Sequence, residues 1–300
     1  MLSFLLSLLL LLLPARAELR VVASVPTLAA IAQEVGGEQV KVTSLSMAAQ
    51  DPHWVDARPN LALALSKADL LIIVGLDLEI GWLPALQTGS RNAAVQTGGR
   101  GYLDTSRFVN LLEIPTGKLD RSEGDVHPGG NPHFLHDPRS IAPVAYGIAA
   151  RMGELDPANA AAYTARAQAL AEQAAERIAA WEAQLACLRG ARFVGYHKSW
   201  PYLADWLGLE IVEHVEPKPG IPPNPAHIAH VVEAMERHGV PAIIEMAYTT
   251  DATVDQISAR TGAKVLRIPG GVHVERKETV LTHMEEIVAL LLPLCTGSTP

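Results

Sequence analysis

The stretch ANAAAYTARAQALAEQAAERIAAWEAQLACL, residues 158–188, is the longest periodic segment of the chain. It is rich in Ala, Glu, Gln and Arg and contains neither glycine nor proline, so propensity and pattern both predict one helix. At 1.5 Å per residue such a helix extends roughly 45 Å. A helix of that length can cross from one lobe of a protein to another and limit their relative motion.

Short apolar runs of strand length alternate with helical segments on both sides of this helix. Strands are predicted at residues 19–26, 40–45 and 68–75 with a weak one at 94–95, and in the second half at 191–195, 210–212, 242–245 and 265–268. This alternation is typical of an α/β fold with mainly parallel sheets covered by helices.

The length and the alternation together predict two similar lobes joined by one long rigid helix. A chain of 300 residues exceeds one ordinary domain. We expect an N-terminal lobe at residues 18–154, the connecting helix at 155–189 and a C-terminal lobe at 190–300.

The first 17 residues have the pattern of a signal peptide. An apolar run ends at a small-x-small site, Ala15-Arg16-Ala17, although no Lys or Arg precedes the run. No cysteine stands at the cleavage site, so we expect a soluble monomer in the periplasm or another extracytoplasmic space, without a lipid anchor. The formal net charge of -8 gives no electrostatic reason to bind nucleic acid.

The only two cysteines, Cys187 and Cys295, lie near the ends of predicted helices. An oxidising compartment would allow them to form a disulfide. Sequence alone does not show whether their Cα atoms approach closely enough, so the pairing stays open.

Three histidines stand on distinctive turns in separate segments. His53 and His133 follow prolines in the related motifs DPHW (residues 51–54) and NPHF (residues 131–134), and His197 follows a predicted strand. Proline fixes its own φ and disfavours helix at the residue before it, so each histidine is expected on an ordered turn. We therefore predict a metal site assembled from both halves of the chain. Three neutral imidazoles suit zinc, whereas manganese and iron prefer more oxygen ligands.

The fourth ligand stays open at this point. Glu245 ends a predicted strand, where ligands of such sheets lie, and could bind the metal or accept a hydrogen bond from a histidine. An acid at a strand end with no metal role is equally compatible with the pattern. His273, after the last strand, is the other candidate. His127 and His136 flank the second turn, and the surface interpretation is preferred for both.

The sequence contains no catalytic motif of the usual kinds. It has no His-Glu-x-x-His, no Gly-x-Ser-x-Gly and no phosphate loop. A zinc-dependent hydrolase with Glu245 as its base is the less favoured alternative, because a hydrolytic zinc needs an open position and a base. We expect a binding protein rather than an enzyme.

These features together resemble the metal-binding substrate-binding proteins of bacterial ABC transporters, the zinc and manganese cluster. The likeness extends over the signal peptide, the two proline-histidine turns, the long helix and Gly195-Tyr196-His197. It implies two α/β lobes with a divalent metal bound between them and delivered to a membrane permease. His53, His133 and His197 would be the ligands.

Two details of the resemblance bear on the metal. Manganese members often carry a glutamate where this chain has His197, so zinc is favoured, and a manganese or iron carrier is the alternative. The family commonly places an aspartate after the last strand, but residues 268–271 are Ile-Pro-Gly-Gly. The fourth position would then fall to water, Glu245 or His273. The histidine-rich loop of many zinc members is reduced here to His127.

Overall fold

Two four-stranded sheets, with the same strand order and only parallel pairings, form the centres of two lobes. In each sheet, with strands counted along the chain, the second strand lies at one edge, followed by the first, the third and the fourth. The computed structural model describes residues 18–117, 124–249 and 252–295, so the predicted signal peptide lies outside the described residues. The α/β fold with two similar lobes is confirmed.

The N-terminal lobe is built from the first four strands and the helices that cover them. Its strands are β1 (Leu19–Ala23), β2 (Val40–Ser44), β3 (Leu70–Ile73) and β4 (Tyr102–Asp104). Its helices are α1 (Pro26–Gly36), α2 (Pro59–Ser66), α3 (Leu83–Ser90) and α4 (Ile141–Leu155). All four residues of β3 are buried, as expected for an inner strand with helices on both faces.

The long helix and the C-terminal lobe come next along the chain. The long helix is α5 (Ala160–Gln184). The strands of the C-terminal lobe are β5 (Arg192–Gly195), β6 (Glu210–His214), β7 (Ala242–Met246) and β8 (Lys264–Ile268). Its helices are α6 (Pro201–Leu207), α7 (Pro225–His238), α8 (Thr253–Thr261) and α9 (Val280–Leu291).

Proline marks where several of these helices begin. A proline occupies the first turn of α1, α2, α3, α6 and α7. Its missing N–H costs nothing there, because the first amides of a helix have no partner within the helix, and its fixed φ suits the helix. These prolines mark the point at which each preceding loop ends and the helix begins.

One predicted strand is wrong. Residues 94–95 belong to a short 3-10 turn, Ala93–Val95, and the edge strand is β4, a few residues later. The Asn92 side chain accepts from the Ala94 amide and donates to the carbonyl oxygens of Leu65 and Ala68. These hydrogen bonds hold the backbone of Ala93–Val95 in a turn. The apolar pair Ala94-Val95 on its own suggests a strand.

The long helix lies against both lobes. Its buried side chains follow helical spacing and include Tyr163, Ala167, Leu170, Ala174 and Trp181, and the helix packs against α1 and α4. The prediction of one long helix is confirmed, with a 3-10 turn at each end. No helix in the described ranges is long and apolar enough to cross a membrane.

Contacts from α5 also reach the second lobe. Arg177 forms an ion pair of 2.8 Å with Glu285 of α9, and Glu182 accepts a hydrogen bond from the indole of Trp206 in α6. The rings of Trp181 and Trp206 meet edge to face at 6.5 Å. The helix therefore joins the lobes by packing against both as well as by chain connection.

Hydrogen bonds lock the seam between the lobes near the strand ends. The Tyr202 hydroxyl of α6 accepts from the Leu112 amide at 3.0 Å and donates to the Asn131 carbonyl at 2.9 Å. Lys198 pairs with Glu113 across the same seam at 3.0 Å. One hydrophobic core contains buried residues of both lobes, so the seam is also apolar.

Cys187 and Cys295 form a disulfide, with Cα atoms 5.5 Å apart. This distance lies within the usual range. The bond ties the chain just beyond α5 to the segment that follows α9. It closes a loop with a sequence separation of 108 residues, which covers nearly the whole C-terminal lobe.

We expect the double variant Cys187→Ser/Cys295→Ser to lose about 2–4 kcal/mol of unfolding free energy, because a disulfide restricts the unfolded chain. Urea denaturation followed by circular dichroism measures the difference. The parent treated with dithiothreitol should lose the same amount, while dithiothreitol should leave the double variant unchanged. Equal urea midpoints for the oxidised parent and the variant would contradict the expectation.

Candidate metal centre

Three histidines from loops at the carboxyl ends of strands meet between the lobes. His53 follows β2, His133 lies after β4, and His197 follows β5. Their ring centroids are 5.3, 5.3 and 5.4 Å apart, and one nitrogen of each ring lies within 4.8 Å of those of the other two. The three segments, well separated in sequence, therefore place their imidazoles around one point.

The ring spacing matches what a shared zinc ion requires. Tetrahedral zinc holds imidazole nitrogens at about 2.0–2.1 Å, which places the centroids of two bound rings about 5 Å apart. The measured separations are close to this value for all three pairs. The scaffold thus arranges the rings for coordination with little further movement.

The two proline-histidine turns share one hydrogen-bond design. Asp51 Oδ1 accepts from the backbone N–H of His53 at 2.9 Å and contacts its Nδ1 at 2.8 Å. Asn131 Oδ1 does the same for His133, at 2.9 Å for both contacts. The side chain two residues before each histidine thus forms an Asx turn across the proline and also holds the ring.

The amide orientation of Asn131 is fixed by its other partners. Its Nδ2 donates to Glu113 Oε2 at 3.0 Å and to the Lys198 carbonyl at 2.9 Å. Both partners are acceptors, so Oδ1 is the atom that faces His133, and Nδ1 of that ring must be the donor. The same residue therefore positions a ligand of the first lobe and bonds to the second lobe.

The third histidine is held by a carboxylate of its own lobe. Glu216, just beyond β6, contacts His197 Nδ1 through Oε2 at 2.6 Å, and the same oxygen accepts from the Gly220 amide at 2.9 Å. Both side chains are mostly buried. Sequence reasoning missed Glu216, because nothing in the chain order links it to His197.

All three rings present the same nitrogen to the centre. An acceptor at Nδ1 makes that atom the N–H donor and leaves Nε2 with a free lone pair, the form that binds metal. Nε2 of His53 and of His133 is buried and has no hydrogen-bond partner among the described residues. Burial, aided by His53, holds the pKa of His133 well below its usual range, so this ring is neutral at neutral pH.

Comparison with known proteins identifies the family of the chain. Residues 21–291 match the family model described as "ZnuA: Zinc-uptake complex component A periplasmic". The chain belongs to this family.

Two individual relatives align with the chain at less than 30% identity. The chain is 29% identical over 231 residues, 66% of its own length and 67% of the other, to the high-affinity zinc uptake system protein ZnuA of Paracoccus denitrificans. It is 28% identical over 159 residues to the manganese ABC transporter substrate-binding lipoprotein scaA of Streptococcus gordonii, covering 52% of this chain and 48% of that protein. The chain thus aligns with only about half of the manganese relative.

Solved structures share the fold. A crystal structure of ZnuA superposes with a TM-score of 0.76 at 20% identity, covering 93% of this chain and 98% of that one. At this identity the similarity establishes the two-lobe architecture and not the choice of metal.

A fourth histidine, His127, lies beside the three. Its ring centroid is 5.6 Å from that of His53 and 6.4 Å from that of His133. Its Nδ1 bonds to the Leu76 carbonyl at 2.8 Å, so it is also an Nδ1–H donor, and its buried Nε2 has no partner among the described residues. Burial lowers the pKa of His127 to about 4. His127 is half-buried at the edge of the cleft and lies outside the group of three converging nitrogens, so a role as a ligand stays a prediction.

Neither Glu245 nor His273 belongs to the group of converging nitrogens. Glu245 is buried on β7 and forms an ion pair of 2.9 Å with Arg267, its register partner on β8. His273 contacts Glu275 through Nδ1 at 2.8 Å. The geometry therefore does not support either residue as the fourth ligand. A residue at the end of a strand can still point along the sheet to its neighbour, and sequence does not show which direction it takes.

A cleft of about 350 Å³ opens beside the histidines. Its lining includes His127, His133 and His197, and the carboxylates of Glu113, Glu213 and Glu216. His136 lies behind the site, buried and stacked on His133 with ring centroids 6.4 Å apart. Burial lowers the pKa of His136 to about 3, so it remains neutral and supports the ligand ring by packing.

We expect Glu216→Ala to weaken zinc binding about 10- to 100-fold, because His197 loses the acceptor that fixes its orientation and tautomer. Competition with a zinc-sensitive dye measures the change. Glu213→Ala is the matched control, since it removes one negative charge from the same cleft without touching His197. Equal losses in both variants would mean that charge, and not the hydrogen bond, is what matters.

We expect His127→Ala to weaken zinc binding about tenfold while leaving three imidazoles on the metal, since the unpaired Nε2 of His127 lies beside the three converging rings and could complete the shell when the ion binds. X-ray absorption of the zinc-loaded parent should then fit four imidazoles, and that of the variant three. His230→Ala, which changes a half-exposed histidine of α7, serves as the control. An unchanged absorption spectrum would assign the fourth position to another group.

Proposed function

We propose that this protein captures zinc outside the cytoplasm and delivers it to an ABC permease. The observation that carries the proposal is the convergence of His53, His133 and His197, each held at Nδ1 by a separate acceptor. Free lone pairs held in advance around one point bind a cation without first paying to order the ligands. The proposed cargo is therefore a single divalent ion held between the lobes.

The donor set favours zinc over manganese. Three imidazoles converge, with the nitrogen of His127 nearby, and no carboxylate of the described residues joins the group. Such nitrogen sites suit zinc. The matched zinc-uptake protein of Paracoccus denitrificans supports the same assignment. The manganese relative of Streptococcus gordonii makes a manganese carrier the second candidate. Such a carrier would be expected to offer carboxylates to the metal.

Binding, rather than turnover, fits the surroundings of the site. A zinc hydrolase needs a base beside an open position on the metal. Glu245, the base suggested by sequence, is engaged with Arg267 on the neighbouring strand. We therefore propose that the metal is a cargo and that the protein acts as a single copy in a transport system.

Release of this cargo to a permease requires the ligand set to come apart. His53 and His133 belong to the first lobe, and His197 belongs to the second. Separation of the lobes would remove one imidazole of three and weaken the hold on the ion. The proposed permease would therefore act on the spacing between the lobes.

The direct test is zinc titration with elemental analysis on the mature chain and on His53→Ala, His133→Ala and His197→Ala. We expect one tightly bound zinc in the parent and at least a 100-fold weaker affinity in each variant, because each loses one of three nitrogen ligands. Parent-like affinity in all three variants would end the proposal.

Metal competition separates the two candidate cargoes. We expect manganese to displace zinc only when present in at least 100-fold excess, since the ligand atoms that converge among the described residues are all imidazole nitrogens. His238→Ala, at the exposed end of α7, should behave as the parent in both experiments. Equal or tighter binding of manganese would assign the protein to the manganese carriers.

A further inference from the structure

A second cluster of metal-binding side chains lies on the first two turns of α9 and the residue before its cap. Glu278, His283 and Glu286 each place one ligand atom within 4.8 Å of the other two. His283 and Glu286 are three residues apart on one face of the helix. Glu278 precedes the N-cap Thr279. The cluster shares no residue with the three-histidine site.

His283 is the unusual member of this group. It is 2% exposed, and its Nδ1 is buried without a hydrogen-bond partner among the described residues. Buried polar atoms of folded proteins are nearly always paired, because an unpaired one costs the full desolvation penalty. A buried imidazole whose neighbours include two carboxylates is the arrangement expected of a metal ligand.

The two carboxylates complete the donor set from the solvent side. Glu278 is half-buried and Glu286 is exposed. Glu278 accepts one hydrogen bond, from the His273 amide, and Glu286 has no ion-pair partner among the described residues. An ion held by His283 would therefore have carboxylate oxygens between itself and water, and the approach from solvent is open at Glu286.

Carboxylates outnumber cations in the cavity beside Glu278. Glu34 of α1, Glu275 and Glu278 line one cavity together with a single cationic side chain, Lys277. Burial raises the pKa of Glu34, and its carboxylate accepts from the Val280 amide at 3.0 Å. This hydrogen bond joins the start of α9 to the first lobe. An ion bound beside it would strengthen the same junction.

We propose that Glu278, His283 and Glu286 form a second site for a divalent transition-metal ion. One imidazole and two carboxylates make a harder donor set than three imidazoles, so the site accepts zinc or manganese and holds zinc more weakly than the central site does. Because binding to the folded state alone stabilises it, occupancy should also raise the melting temperature.

Zinc titration of the mature parent chain and three variants tests the proposal. We expect two bound zinc ions in the parent, and one in His53→Ala/His133→Ala, held at least tenfold more weakly than the central ion. We expect one, held tightly, in Glu278→Gln/Glu286→Gln. The combination of all four substitutions should bind none. The carboxylate substitutions avoid the buried His283, whose replacement could disturb folding.

The matched control is Glu233→Gln/Glu236→Gln, which removes two exposed carboxylates, three residues apart on α7, away from the cluster. It should bind two zinc ions, as the parent does. Added zinc should also raise the melting temperature of His53→Ala/His133→Ala, and this rise should disappear when Glu278→Gln/Glu286→Gln is added. That readout depends only on the second site.

Two outcomes would overturn the proposal. One is parent-like stoichiometry in Glu278→Gln/Glu286→Gln. The other is binding by His53→Ala/His133→Ala only at millimolar zinc, with that variant still folded by its melting curve. Failure of the central site would look different, because His53→Ala/His133→Ala would then bind as the parent does while the carboxylate pair still removed one ion.

Discussion

The hydrogen bond at Nδ1 of each central histidine is the interaction on which the site depends. An imidazole offers its Nε2 lone pair only while Nδ1 carries the proton, and Asp51, Asn131 and Glu216 each supply the acceptor that keeps it there. Without these acceptors the rings could turn or change tautomer, and three histidines near one another would be a cluster of poorly oriented bases. The Asx turn makes two of these acceptors local, since proline at the middle position holds the chain in the shape that the turn needs.

The fold brings together loops that are far apart in sequence, which local turns cannot do. Two sheets of identical order point the carboxyl ends of their strands toward a common cleft, so loops far apart in sequence meet there. The long helix and the hydrophobic core shared by both lobes keep the cleft narrow. Tyr202 adds a specific connection, because its hydroxyl bonds to the Leu112 amide and the Asn131 carbonyl of the first lobe. The positions of the three rings therefore depend on contacts that involve no ligand at all.

Local sequence patterns predicted most of the fold and part of the site. Apolar runs and proline positions predicted both sheets and the long helix, and the repeated proline-histidine turns identified His53 and His133. The edge strand β4 was missed because only one of its three residues is buried, which leaves little apolar signal. The positions of Glu216 and His127 at the site depend on tertiary contacts, which no spacing in the sequence predicts. Glu245 shows the opposite error: its strand-end position suggested the cleft, yet its side chain follows the sheet to Arg267.

Asn131 links a metal ligand of the first lobe to the backbone of the second. Its amide nitrogen donates to the Lys198 carbonyl and to Glu113, and its oxygen accepts from the backbone N–H and Nδ1 of His133. If the lobes part at Lys198, only the first of these bonds is lost, because the Asx turn is local to the first lobe. His53 and His133 would then stay oriented on the open first lobe while His197 moves away with the second. A protein that has released its ion would thus remain primed on one side, and capture of the next ion would begin there.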